Sequence, residues 1–430
     1  VVVTPEEEER IQSPPTNSIT AYDYYLRGKE YYKNSLEESN FRYAVQQYEK
    51  AVEIDPEFIL AWVGLAGASR YFYWFFGDRS EEQLLRTRQY LEKAIALDPE
   101  LKEVQLEEAR YYYHCRLDFQ KALRILTRLN TEYPNDDEIY AWIGYIYRRI
   151  GDFRKSLEYN IQAIELNPAV WNYWLEAGNT LRVLGNYREV ETYYKKAFDL
   201  NPSITGPCLL LLENYILAGK IDKASDFLTI IPQFRNNPDI KLQEIDIEVI
   251  KGDYEQAVRI AESMPEYGFS PFPGQVSYFT KHFLLGMIYH IISDKEMSNK
   301  HFEIEKDFIL EKMNYMKNDY RLYCTLGVAY AGLGNKKLAK ESGKKALDIL
   351  SLSKDSYAGF ITEISMAKIL LMIGEYDEAL TKLEYILNRN RHVSVELIKN
   401  HPFWDPLRTL DRYEEIILNP KYQINFSDKN

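Results

Sequence analysis

The chain has 430 residues, 46% of them hydrophobic, and a formal net charge of −12. That length and apolar content can bury the cores of two or three domains or of one long repeat array, which excludes a disordered chain. No apolar run approaches the roughly 20 residues of a membrane-spanning helix, and the acidic balance argues against a nucleic-acid groove in this chain, which would cluster Lys and Arg.

In chain order, residues 1–20 (VVVTPEEEERIQSPPTNSIT) are acidic and then rich in Pro, Ser and Thr, a linker or the end of an upstream segment. From Ala21 onward the pattern repeats. The stretches 137–168 and 171–202 align at an offset of 34 residues, which superimposes Gly144 on Gly178, Gly151 on Gly185, Ala163 on Ala197 and Pro168 on Pro202. That is the tetratricopeptide period, in which each unit is a pair of antiparallel helices, A and B. Small residues on helix A (Gly144, Gly178) and on helix B (Ala224, Ala257, Ala379) let the two approach. A Gly-Asp or Gly-Asn pair (Gly151-Asp152, Gly185-Asn186, Gly334-Asn335) ends helix A in the left-handed conformation that a C-terminal cap prefers.

Extending outward gives about ten pairs: some seven over residues 21–264, with an insertion near 70–80, then a Pro/Gly-rich loop at 265–278. About three more follow over 279–388, and residues 389–430 form a C-terminal cap and tail. The expected fold is all-α, a right-handed superhelical solenoid of tetratricopeptide helix pairs closed by a capping helix. The insertion carries RYFYWFFGDR (70–79), where helical spacing puts Tyr71, Trp74 and Phe75 on one side and Phe72 and Phe76 on another. Packing between neighbouring helices is the first reading of that block, and an exposed aromatic patch for a partner is the second.

Beyond the general repeat, the chain resembles the C-terminal repeat region of bacterial signalling regulators that carry an adenylate-cyclase-like, protein-kinase or winged-helix domain upstream. PPTNSITAYDYYLRGKEYY looks like their linker and first helix. AVQQYEKAVEIDPEFILAWVGLAGA looks like their first repeat junction, and the aromatic extension before RSEEQLLRTRQYLEKAIALDP like their long second unit. VSVELIKNHPFWDPLR looks like their closing helix. The resemblance implies a docking or sensing arm attached to an effector domain, and no catalytic motif of such domains is present to carry over.

No catalytic site, metal site or cofactor is expected. GNKKLAKESGKKA (334–346) has the wrong spacing for a phosphate loop, with Lys345 where Ser or Thr is required. His282 and His290 lack the spacing of a helical metal pair and no carboxylate partner is evident. Cys115, Cys208 and Cys324 are far apart and read as buried free thiols.

The concave face formed by the A helices is the expected binding surface. On it the register places Glu107, Tyr111 and His114 in the third unit and Glu138, Ala141, Tyr145, Arg148 and Arg149 in the fourth. The fifth contributes Asn172, Leu175, Asn179 and Arg182. Arg148, Asn179 and Arg182 offer donors suited to a carboxylate or a peptide backbone, with Tyr145 as an apolar contact. Leu175 stands where tetratricopeptide domains that clamp a peptide's terminal carboxylate resemble one another in a polar residue. The expected partner is a protein or peptide. The alternatives are a small-molecule effector bound inside the superhelix and a free-standing exported scaffold. Few cysteines and no signal segment favour the cytoplasm, with the periplasm open if an upstream signal or membrane helix exists.

Overall fold

A computed structural model describes residues 14–34, 38–75, 78–266, 280–389 and 392–423. Most of the expected linker, Phe76 and nearly all of the 265–278 loop therefore lie outside the described residues. Every regular element among those described is helical, and the helices fall into ten consecutive pairs. The chain divides into two compact units, up to Pro134 and from Asn135 onward.

The first unit holds three pairs: Ile19–Asn34 with Glu38–Ile54, Ile59–Trp74 with Glu81–Leu97, and Lys102–Tyr111 with Phe119–Glu132. Its core is built around Ala44, Tyr48, Phe58, Ala61 and Leu65. Gly28 and Gly64, on consecutive A helices, both face the Tyr48 ring, and a Cβ on either would stand 2.6 or 2.7 Å from it. One tyrosine thus fills a space that two glycines leave open, which is how this architecture uses its many aromatics.

The RYFYWFF block is packed in the same way. Tyr71 stacks on Phe75 at 4.5 Å and on Phe41 at 4.9 Å, with Tyr32 edge-on at 5.3 Å. Trp74 is buried against His114 and Tyr113. The packed reading describes Tyr71, Trp74 and Phe75, and an open aromatic patch does not.

The second unit holds seven pairs, beginning with Asp137–Ile150 and Phe153–Leu166 and ending with Phe360–Met372 and Tyr376–Arg389. Val395–Asn400, a 3-10 turn at Pro402–Thr409 and Asp411–Ile417 follow as the cap, whose Phe403, Trp404 and Leu407 are buried. The sequence-based division at 265–278 differs from the observed one. Ile245, Val249 and Ala257 before that loop share one core with Phe283, Leu284 and Phe302 after it, so the two stretches fold as one body.

Six A helices end on a glycine with positive φ: Gly151, Gly185, Gly219, Gly252, Gly334 and Gly374. The third and eighth pairs have Leu117 (φ 51°) and Ser293 (φ 64°) there instead. The following Asp or Asn then caps helix B: Asp118, Asp152, Asn186, Asp253, Asp294 and Asn335 each accept a hydrogen bond from the backbone N–H three residues on. All three cysteines are free and buried, and burial pushes their thiols up to about 12.

Candidate functional site

The A helix of the fourth pair starts on Asp136, whose side chain accepts from the N–H groups of Glu138 and Ile139, and stops at Gly151. Its last turn carries Arg148 and Arg149. Arg149 Nη1 donates to Asp355 Oδ2 at 2.6 Å, and both side chains are buried. The Ser356 N–H donates to the Arg149 carbonyl at 2.9 Å, and the Ser356 hydroxyl donates to Ile150 O at 3.3 Å. Gly151 is needed here twice, because its φ is +97° and a Cβ would come within 2.7 Å of Ser356 Oγ.

Arg148 pairs with Glu176 and lies over the Tyr357 ring at 4.2 Å. Asp355 holds its own turn, accepting through Oδ1 from the N–H groups of Tyr357 and Ala358. His392 completes the cluster, stacked on Phe360 at 4.3 Å and edge-on to Tyr357 at 4.7 Å. Burial, followed by the nearby guanidinium of Arg182 and those of Arg148 and Arg149, holds its imidazole neutral, well below the usual histidine range.

In the fifth pair, Asn179 Oδ1 accepts from the Tyr194 hydroxyl at 2.8 Å, and Arg182 Nη1 pairs with Glu213 at 2.6 Å. Asn172 donates to the Tyr145 hydroxyl at 3.0 Å. Ser394 Oγ donates to Leu217 O at 2.5 Å in the sixth pair. Tyr145, Arg148, Arg149, Asn179 and Arg182 are thus all buried, as are Ala141 and Leu175. The expectation was an open groove at these residues. The structure instead covers that part of the A-helix face with the chain's own segments near 355–357 and 392–394, which bring an aspartate, a tyrosine ring and an imidazole to the arginines.

In the first unit Tyr111 and His114 are also interior. The third A helix widens into a π-helical turn, Tyr112–Arg116, and His114 Nδ1 stands 2.8 Å from Arg70 Nη1. Arg70 also grips Glu107 with two hydrogen bonds, at 2.6 and 3.2 Å. Because a guanidinium can only donate, His114 Nδ1 is the acceptor and the ring proton sits on Nε2. Arg70 and Glu107 are 1% and 2% exposed, a buried ion pair with its hydrogen bonds made. The sequence signal for Arg70 was a lone charge in an aromatic helix stretch.

His282 has a partner that spacing could not reveal: Glu266 Oε1 lies 3.0 Å from its Nε2, and His301 Nδ1 lies 2.9 Å from its Nδ1. Among the described residues no group of three His, Cys, Asp or Glu is placed to hold a metal ion, and no helix is long and apolar enough to cross a membrane.

Three segments, 137–170, 172–204 and 320–349, match the family model described as "Tetratricopeptide repeat". They are the fourth, fifth and ninth helix pairs. No curated protein matches the chain. Among solved structures, the human IFIT1 dimer with m7Gppp-AAAA is similar over 76% of this chain and 72% of that one, at 17% identity and a TM-score of 0.47. A thermophilic repeat protein of Thermus thermophilus is matched over 46% of this chain and all 100% of its own, at 14% identity and 0.40. Pseudomonas aeruginosa pilF is matched over 52% and 96%, at 18% identity and 0.38.

Proposed function

Because this chain is a tetratricopeptide repeat protein, we propose that it is a non-catalytic interaction module, the docking arm through which a larger signalling protein meets a protein partner. One observation carries the reading. On the first helix, Ile19 is 89% and Leu26 44% exposed, and with the partly exposed Tyr22 they fall at i, i+3 and i+7 on one face. Towards the other end of the same helix, the half-exposed Tyr31 ring lies 5.5 Å from that of Tyr43.

Repeat arrays bury such faces by stacking the next layer of helices on them. An apolar stripe with a tyrosine, exposed among the described residues, fits a partner's helix or loop, since aromatic residues anchor interfaces. Engagement of a partner by Arg148 and Arg149 requires residues 355–357 to leave them, and Tyr145, Asn179 and Arg182 are buried against Asn172, Tyr194 and Glu213. For His114 it requires the contact with Arg70 to open, and Tyr111 is buried with Ala66, Leu91 and Cys115. The first-helix face asks for neither rearrangement.

The test is affinity capture followed by mass spectrometry, comparing the parent chain with the double variant Tyr22→Glu and Leu26→Glu and with Arg148→Glu. The reading expects a reproducible partner bound by the parent and by Arg148→Glu, and lost from the double variant at an unchanged melting temperature. Retention by the double variant removes the first-helix face from the proposal.

A further inference from the structure

In the second unit, a chain of hydrogen bonds runs from the end of the seventh helix pair through both helices of the eighth, Lys281–Ile291 and Lys295–Met313. Glu266 Oε1 lies 3.0 Å from His282 Nε2. The other nitrogen of that ring, Nδ1, stands 2.9 Å from Nδ1 of His301 on the second helix. Both rings are fixed in place. His301 stacks on Tyr289 with the centroids 5.7 Å apart and the planes within 2°. Thr280 caps the first helix, accepting from the His282 and Phe283 N–H groups, and donates to the buried Glu305, one turn beyond His301. Little water reaches the contact, since His301 is 7% exposed and the His282 side chain 13%.

These contacts fix the proton count. Hydrogen bonds from Lys281 and His282 hold the Glu266 carboxyl below its usual range, and an ionised carboxylate only accepts, so His282 Nε2 donates to it. The contact between the two Nδ1 atoms needs one donor and one acceptor, so a single proton lies between the rings. One extra proton leaves that bond intact, as a cationic ring donating to a neutral one. A second does not. With both rings cationic each Nδ1 carries a hydrogen, two donors face each other across the 2.9 Å contact, and two positive charges meet where water is scarce.

The neighbouring charges oppose that state as well. Burial first, then His282, Lys300 and Lys281, pull the His301 imidazole down to about 4. The helices packed on the pair bring Glu255, Arg259 and Glu262 from Tyr254–Glu262, and Arg321 from Tyr320–Gly332. Arg259 is paired with Glu255 and Arg321 with Asp319. His290 lies two turns further along the first helix, against Phe403.

We propose that Glu266, His282 and His301 form an acid-released clasp between the seventh and eighth helix pairs, closed while one proton is shared by the facing nitrogens and opened when each nitrogen holds its own. This regulatory contact lies in the second unit and does not rest on the docking reading, which uses the first.

The experiment is hydrogen exchange of the full chain, read by mass spectrometry over residues 281–291 at about pH 7.5 and about pH 5 and corrected for the intrinsic pH dependence of exchange. The Asp137–Ile150 helix serves as the reference for loss of the whole unit. Parent and His301→Asn are compared, because asparagine keeps a donor near the Nδ1 position and cannot take up charge. A ring whose folded value is depressed contributes stability that is complete above its unfolded value near 6.5 and is lost as pH falls towards 4. Protection of residues 281–291 in the parent should therefore drop by roughly tenfold more than that of the reference helix, and His301→Asn should keep most of it. Should the variant fail to fold, histidine nitrogen NMR on the parent at about pH 7.5 carries the test, with a proton expected on His282 Nε2 and on one of the two Nδ1 atoms. The proposal is overturned if the parent's protection relative to the reference is unchanged at the lower pH, if His301→Asn loses as much as the parent, or if both Nδ1 atoms are found without a proton.

Discussion

Arg149 and Asp355 are 206 residues apart in the chain and 2.6 Å apart in the fold. That contact, with Tyr357 beneath the two guanidiniums, ties the start of the second unit to the turn before its last helix pair. It turns a face expected to be a binding groove into an interior.

Breaking the pair should be costly. Removing one partner of a buried, hydrogen-bonded ion pair leaves an unpaired interior charge and typically costs about 3–5 kcal/mol. Arg149→Met and Asp355→Asn should each lower the urea midpoint strongly, and the double variant carrying both should lose clearly less than the sum of the two single effects, since an asparagine in place of Asp355 keeps an oxygen for the Tyr357 and Ala358 N–H groups. Additive single effects would mean the two residues are not coupled.

Glu305 supplies a pH test. Its side chain is fully buried and accepts from the Thr280 hydroxyl, and burial raises it to about 7. A carboxyl whose folded value is raised holds its proton in the native state when the unfolded state has already lost it. Stability is therefore lost as pH climbs from the unfolded value near 4.5 towards 7, by roughly 3 kcal/mol at most. Glu305→Gln removes this dependence, so its urea midpoint relative to the parent should rise across that window. A constant difference from pH 4.5 to 7 would falsify the assignment.

The two A helices that end without glycine should be improvable. Leu117 and Ser293 hold left-handed backbone that costs a residue with a Cβ about 1–2 kcal/mol. Part of the gain from Ser293→Gly is offset by the flexibility it adds to the unfolded chain. Ser293→Gly and Leu117→Gly should still each raise the melting temperature by a few degrees in differential scanning calorimetry.

Gly178 should behave in the opposite way to an exposed helical glycine. Gly→Ala at a surface helix position stabilises by about 0.5–1 kcal/mol. At Gly178 the new Cβ would stand 2.6 Å from the Tyr194 ring, and Tyr194 is fully buried and bonded to Asn179. Overpacking of this kind costs about 1–3 kcal/mol, so Gly178→Ala should lower stability. Adding Tyr194→Phe to it would not restore the parent, since the clash is with the ring.

The repeat was legible because helix pairing is local. The glycine that ends helix A, the Asp or Asn that caps helix B and the small residues between them all sit within one 34-residue unit, so the ten pairs could be read from spacing. Leu117-Asp118 and Ser293-Asp294 hide two of these junctions, although the capping Asp was in place in both. The inner register positions were read the same way. What meets them was not, because nothing in the fourth and fifth units points to Asp355, Tyr357 or His392. Glu266 beside His282 and Glu107 beside Arg70 escaped for the same reason.

The sequence by itself determined that the chain folds as helix pairs with this period, these caps and these small-residue contacts, since each depends on side chains a few positions apart on neighbouring turns. Only the tertiary structure decided which faces stay open. It closed the arginine-lined stretch with a downstream turn, joined the segments on both sides of the 265–278 loop into one core, and left the first-helix stripe exposed. Curvature accumulates over successive pairs from small packing angles, and no single repeat encodes where the chain meets itself again.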